Sequence, residues 1–354
     1  MLALSVLDQS PIAEGSTGAD ALRNTLDLAH LADRLGYRRY WVAEHHGTPG
    51  LASASPEALI GPIAAATSRL RVGSGGVMLP HYSPLKVAET FSVLSALFPG
   101  RIDLGLGRAP GTDPMTMFAL QRDRRQVSPD DFPQQLAELL AYLQDTLAPD
   151  HPFAALAALP GLPEHPAPWL LGSSPQSAIW AGELGLPYAF ADFINPAGAE
   201  IAALYRERFT PSAWLDAPRL AVSSWAICAE RQEEAQRLAS SSRMTLSLLR
   251  RGRLIPVPPV EKALRYLAEQ RRDQPTQPDA SGDTPQQRSG RRAVIGDPEQ
   301  VRDGLEAVAH DYGAGEVIVV TITHDHGARR RSYELIADAF ALEPAADAVT
   351  ASVR

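Results

Sequence analysis

The sequence predicts an α/β protein, an all-parallel TIM (β/α)8 barrel with insertions after strand four and between strands seven and eight. Three observations predict it. Short apolar runs alternate with longer segments of helical periodicity, which implies a parallel sheet with crossover helices. Several of the runs are almost continuously apolar, as in strands covered by helices. Eight such units fit a chain of 354 residues, and no G-x-G-x-x-G follows the first strand, so a closed barrel is favoured over an open dinucleotide-binding sheet.

In order along the chain, "LALSVLD" (2–8) reads as strand one. A helix follows at 20–35, where Leu28, Leu31, Ala32 and Leu35 keep the i, i+3, i+4, i+7 spacing and Gly36 ends it. "RYWVAE" (39–44) is strand two, and 56–67 the next helix. "LRVGSGGVML" (70–79) is strand three, and the helix at 84–98 opens on a proline and stops at Pro99-Gly100. "RIDLGLGR" (101–108) is strand four. After an insertion, "PWLLGSS" (168–174), "LPYAFAD" and "RLAVSSWAICA" (219–229) are strands five to seven, with "SAIWAGELG" and 197–208 as helices between them. "GEVIVVTIT" (315–323) is strand eight, before a last helix at "RRRSYELIADAF". Two segments interrupt the rhythm: 109–130, rich in Pro, Asp and Arg, and 271–293, polar and low in complexity. The second reads as a lid or a disordered loop within one domain spanning 1–354.

The hydrophobic content of 45% is ample for one large core. The net charge of −8 is spread along the chain, with no surface concentrating Lys and Arg, which argues against a general nucleic-acid binder. No window approaches the roughly 18 apolar residues of a bilayer span, and "MLALSVLDQSP" lacks the basic start of a signal peptide, so a cytoplasmic protein without membrane contact is expected. A single cysteine, Cys228, excludes an internal disulfide and reads as a buried strand thiol.

Chemistry-bearing residues gather at strand ends, where barrel active sites lie. "YWVAEHHG" puts Glu44, His45 and His46 after strand two. Without a third ligand a metal site is the weaker reading, and a histidine moving protons at the mouth is the stronger. Gly73, Gly75 and Gly76 strip side chains from strand three, either for a flat ligand or for dense barrel packing. Arg108 ends strand four, and Ser173, Ser174 and Ser177 flank a helix start after strand five. Coming from adjacent strands, they make a credible phosphate site.

"LDQSP", "WVAEHH", "RVGSGGVMLPHYSPLKVAE", "RIDLGLGRAPG", "LLGSSPQSA" and "LGLPYAFADF" together resemble the bacterial luciferase-like monooxygenase family over nearly the whole chain. The resemblance implies a TIM barrel binding reduced FMN, or a related deazaflavin, at its mouth. It implies a small organic substrate, O2, a separate flavin reductase as partner, and a homodimer. His45 matches the family's functional histidine, and Gly75-Gly76 its cis peptide behind the flavin ring. Arg108, Ser174, Ser177 and the backbone of Ser173 match its phosphate contacts, and 271–293 sits where luciferase carries a mobile loop. Gly107 stands where luciferase has a reactive cysteine, so no thiol chemistry is implied there. The resemblance leaves two other readings open: a deazaflavin-dependent oxidoreductase and a flavin-binding protein without catalysis.

Overall fold

The computed structural model describes residues 2–108, 113–120, 131–156, 164–195, 198–272 and 293–343. Nine parallel strands form one sheet: β1 (Ala3–Asp8), β2 (Arg39–Val42), β3 (Arg71–Met78), β4 (Ile102–Gly107), β5 (Ala167–Gly172), β6 (Tyr188–Ala191), β7 (Leu220–Cys228), β8 (Ala293–Gly296) and β9 (Glu316–Val320). Strands β1 to β7 pair in chain order, β7 pairs with β9, and β9 returns to β1. This closes the eight-stranded barrel that the sequence predicts.

β8 is the addition. β7 is nine residues long, and Ala221 to Trp225 face β9 while Trp225 to Cys228 run on to pair with β8. The strand predicted at 315–323 is therefore the ninth. The connection leading to it holds α8 (Gln232–Leu249), α9 (Val260–Arg272), β8 and α10 (Pro298–Tyr312). The predicted lid at 271–293 falls almost wholly outside the described residues. So do the flanks of 109–130, within which Pro114–Leu120 forms the short helix α4.

Helices α1 (Gly18–Leu35), α2 (Pro56–Ala65) and α3 (Pro84–Leu97) follow the first three strands. The others on the outer ring are α5 (Phe132–Gln144), α6 (Pro175–Glu183), α7 (Ala199–Glu207) and α11 (His326–Ala339). Local signals set their ends. Thr17 and Asp20 form a capping box at the start of α1, and Gly36 ends it at φ 88°, a left-handed conformation that favours glycine.

The core has two layers. Leu28, Ile60, Val72, Phe91 and Leu104 belong to the larger cluster, between barrel and helices. Leu7, Trp41, Trp169, Ala221 and Ile318 fill the barrel interior. Cys228 is buried, and burial pushes its thiol up to about 12, which leaves it inert as a nucleophile.

At the N-terminal end of the strands the interior is ionic. Arg39 reaches Asp103 at 2.7 Å and Glu316 at 2.9 Å, all three side chains being buried. Trp41 Nε1 donates to Asp103 Oδ2 (3.0 Å), Arg71 Nε to Asp103 Oδ1 (2.8 Å), and Ser5 Oγ to Glu316 Oε1 (2.5 Å).

Candidate active site

The strands point their C-terminal ends to one side, so the residues after β2, β3, β4 and β5 form a continuous arc across four paired strands. After Val42 the chain leaves the ladder, and Glu44 turns inward and is fully buried. Its carboxylate takes Met78 N–H on Oε2 (2.8 Å) and Tyr82 O–H on Oε1 (3.1 Å), and His46 Nε2 lies 2.7 Å from Oε1. Glu44 thereby ties the β2 loop to the end of β3. The His81 ring stands edge-on to His46, with centroids 5.9 Å apart. His45, between the two paired residues, is half-buried and anchored by its backbone N–H on Ser53 O (2.9 Å).

A second acid stands close by. Glu57, in the first turn of α2, has a buried Oε2 without a hydrogen-bond partner among the described residues. Burial raises its carboxyl above the ordinary range, and the Glu44 charge adds to this. The Tyr82 hydroxyl is likewise held far above its ordinary range, by burial first and then by the two carboxylates, so it acts here as a donor. Glu57, His81 and Tyr82 were not singled out in the sequence. Two of them stand in "PHYSP" after strand three, where nothing local marks their role.

The glycines of β3 answer first to packing. A Cβ on Gly73 would come 2.3 Å from Asp103 O, on Gly75 2.5 Å from Leu7 Cδ1, and on Gly76 2.8 Å from Gly105 O. The barrel excludes side chains there whatever lies above it. The Gly75-Gly76 peptide is cis, and the β3–β4 register shifts between Ser74 and Val77.

Across the arc, Arg108 and the serines share one helix, α6. Ser174 caps α6, accepting from Ser177 N–H. The Arg108 guanidinium lies 5.7 Å from the Trp180 ring centroid, over the same helix. The exposed Arg108 thus lies over α6 at Trp180, six residues along the chain from the Ser174 cap. Asn195 Nδ2 fixes the chain at Ser173 O (3.0 Å). Ser177 differs from the other two: its Oγ is engaged by Ser174 O and Tyr188 O–H, each at 2.8 Å, and it is buried. Gly172 must be small, since a Cβ would fall 2.2 Å from that Oγ.

Between the two halves, Leu171, Phe193 and Trp225 pack against the interior cluster. Among the described residues Trp225 Nε1 is buried without a hydrogen-bond partner, a donor that a ligand acceptor would satisfy. Val257, from the α8–α9 connection, joins the same cluster and pairs with Ala13. α4 lies against the loop after β2, where a Cβ on Gly47 would meet Thr116 Oγ1 at 2.5 Å. Among the described residues no group of three or more His, Cys, Asp or Glu is placed to hold a metal ion.

The fold and its mouth define a parallel α/β barrel with a buried carboxylate and an imidazole cluster after β2 and β3. Residues 2–316 match the luciferase-like monooxygenase family, and the chain belongs to it. It is 46% identical over 259 residues to a luciferase-like monooxygenase of Escherichia coli, covering 73% of this chain and 76% of that one. It is 42% identical over 270 residues to an N-acetyl-S-alkylcysteine monooxygenase of Bacillus subtilis, covering 75% and 80%. The crystal structure of apo-MsnO8 is similar at 43% identity and a TM-score of 0.86, over 97% of this chain and all of that one. The fold alone is shared with an FMN complex of a type II Baeyer–Villiger monooxygenase (18% identity, TM-score 0.69, 95% of this chain and 97% of that one). It is also shared with an F420-dependent secondary alcohol dehydrogenase (15% identity, TM-score 0.67, 97% and 99%). Flavins and deazaflavins are thus both cofactors of this architecture.

Proposed function

We propose that this protein is the oxygenase component of a two-component monooxygenase, taking reduced FMN from a separate reductase and oxidising a small organic substrate with O2. The observation that carries this reading is the cradle of Arg108, Trp180 and the start of α6, beside the mouth of β2 and β3. The residues present fit the group: one guanidinium, the Ser174 hydroxyl, the backbone at Ser173 and a helix N-terminus suit a phosphate. Leu171, Phe193 and Trp225 offer an apolar wall with one orphaned donor.

Reduced flavin, when bound, supplies the electrons with which O2 is activated. The chain's own residues do the rest. Arg108 and the Ser174 cap hold the phosphate, and Ser177 acts through Tyr188 to fix that turn. Gly75 and Gly76 would leave the wall of β3 to backbone where a flat ring could rest. His45 gives or takes a proton at an imidazole nitrogen. Glu44 holds His46 beside it and keeps Tyr82 as a donor. We place the enzyme in the cytoplasm as a homodimer. The Bacillus relative makes thioethers of the N-acetyl-S-alkylcysteine type the first substrates to try.

The test is an anaerobic titration of the protein with reduced FMN and with reduced F420, followed by an 18O2 pulse with a thioether panel. Preferential binding of reduced FMN and labelled product support the proposal. A preference for F420 with hydride transfer would replace it, as would tight oxidised FMN without oxygen-dependent turnover.

A further inference from the structure

At the opposite end of the barrel from the mouth lies a cavity of about 210 Å³. Its walls carry four arginines: Arg38 and Arg39 at the start of β2, Arg71 at the start of β3, and Arg219 just before β7. Trp169 and Trp214 also line it. We infer that this cavity is a binding site for a small multivalent anion of phosphate-ester or polycarboxylate type, separate from the mouth.

The charges decide this. Two of the guanidiniums are neutralised within the fold: Arg39 by Asp103 and Glu316, and Arg71 by Asp103 at 2.7 Å. Both carboxylates are buried and already engaged by these two arginines. The other two arginines are not neutralised. Arg38 is half-exposed and reaches Glu316 only at 4.0 Å. The Arg219 guanidinium makes no hydrogen bond or ion pair with the described residues, although its backbone is fixed by Tyr205 and Tyr188. Neither Glu164 nor Asp216, the acids nearest in sequence to the lining residues Ala167 and Leu215, lines the cavity. A chain of net charge −8 therefore keeps two surplus guanidiniums in one concave site.

The geometry suits a ligand more than a solvated surface. Arg39 is fixed by two carboxylates and stacks over Trp169 at 4.7 Å, so one wall is rigid. Trp214 is half-buried at the opening, where a planar or carbon part of a ligand could rest. Arg38 and Arg219 line the same cavity, and a guanidinium fork matches the paired oxygens of a phosphate or carboxylate. A cavity of about 210 Å³ has room for a small anion such as inorganic pyrophosphate or citrate.

The test uses the full chain carrying Arg108→Ala, which disables the mouth cradle. Inorganic pyrophosphate and citrate are titrated into it calorimetrically at constant ionic strength. One saturable site is expected for at least one of them. Pyrophosphate alone would mark a phosphate ester as the ligand, and citrate alone a polycarboxylate. Arg38→Gln and Arg219→Gln should each weaken it by about tenfold, as loss of one charge-assisted contact implies. Both side chains are solvent-facing, so the fold should be retained, with circular dichroism as the check. Arg23→Gln, at an exposed arginine paired with Asp20, is the control. Absence of saturable heat from both anions, affinity within about twofold of the parent in both variants, or an equal loss in Arg23→Gln overturns the inference.

Discussion

The barrel buries charge at both of its ends, and the two ends are built on opposite terms. At the N-terminal end Arg39 stands between Asp103 and Glu316, Arg71 adds a second cation, and every contact is short. At the mouth, two carboxylates, Glu44 and Glu57, share one neighbourhood with two histidines and a tyrosine, and Glu57 Oε2 has no partner. The first arrangement neutralises its buried charge and ties β1, β2, β3, β4 and β9 together through side chains. The second keeps charge unneutralised where a reaction would use it. Perturbed carboxyls in a cleft mark function more than stability, and paired ones deep in a core mark the reverse.

The largest expected effect tests the base. Arg39→Ala leaves Asp103 and Glu316 buried without their shared cation, so it should cost about 3–5 kcal/mol of unfolding free energy. Urea denaturation with an unchanged m-value is the measurement. A loss below about 1 kcal/mol would mean that the two carboxylates simply take up protons, and that this end is no better neutralised than the mouth.

His45→Ala tests the mouth on the opposite expectation. Reduced-flavin affinity should stay within a few-fold, while oxygen-dependent turnover falls by about 10²-fold or more, as for a lost proton-transfer group. His46→Ala should act through Glu44 instead, loosening the β2 loop, and its thermal melt should show it. Stopped-flow oxidation of the bound flavin separates the two variants. Unchanged turnover in His45→Ala would make that residue a packed loop histidine.

Arg108→Ala is next in size. A guanidinium on a phosphate is worth roughly 1.5–3 kcal/mol, so reduced FMN should bind about tenfold to a hundredfold more weakly with its chemistry little changed. Ser174→Ala removes the α6 cap and should cost stability as well as affinity, typically about 1 kcal/mol. Flavin affinity unmoved by Arg108→Ala would detach the cradle from the mouth.

These two ends were not equally visible in the sequence. The eight barrel strands were legible because each is a short apolar run framed by turn residues, and Arg108 with Ser174 because both follow such runs directly. β8 was not, since "AVIG" is four residues long and follows a polar low-complexity segment. The base network was invisible for a topological reason. Arg39 and Glu316 are 277 positions apart, and each looks like an ordinary polar residue opening a strand until the barrel closes. The glycines of β3 showed that something comes close, but not what. Asp103, Leu7 and the Gly105 backbone fill those places, and none is near in sequence. Glu57 reads as a first-turn acid at a helix start, a common and bland position. Only the meeting of α2 with the β2 loop gives it a second carboxylate for a neighbour.

Glu57 also gives the smallest effect and the sharpest form of the contrast. Burial and the Glu44 charge raise its folded carboxyl above the unfolded value, so between the two the folded state holds more protons. Stability contributed by such a group declines as pH rises through that window, and the penalty is complete above the folded pKa. Glu57→Gln removes the titration and keeps the shape. Unfolding free energies of the two proteins should therefore coincide near about pH 4 and separate above it, the variant becoming the more stable. The gap should be under about 1 kcal/mol, because the site is half-solvated and screened. Oxygen-dependent turnover should fall in the same variant, a gain in stability at the expense of activity. Urea titrations at three pH values and a turnover assay decide it. Parallel stability curves, or a wild type that is the more stable near neutral pH, would show Glu57 supporting the fold, and the mouth would then be built on the same terms as the base.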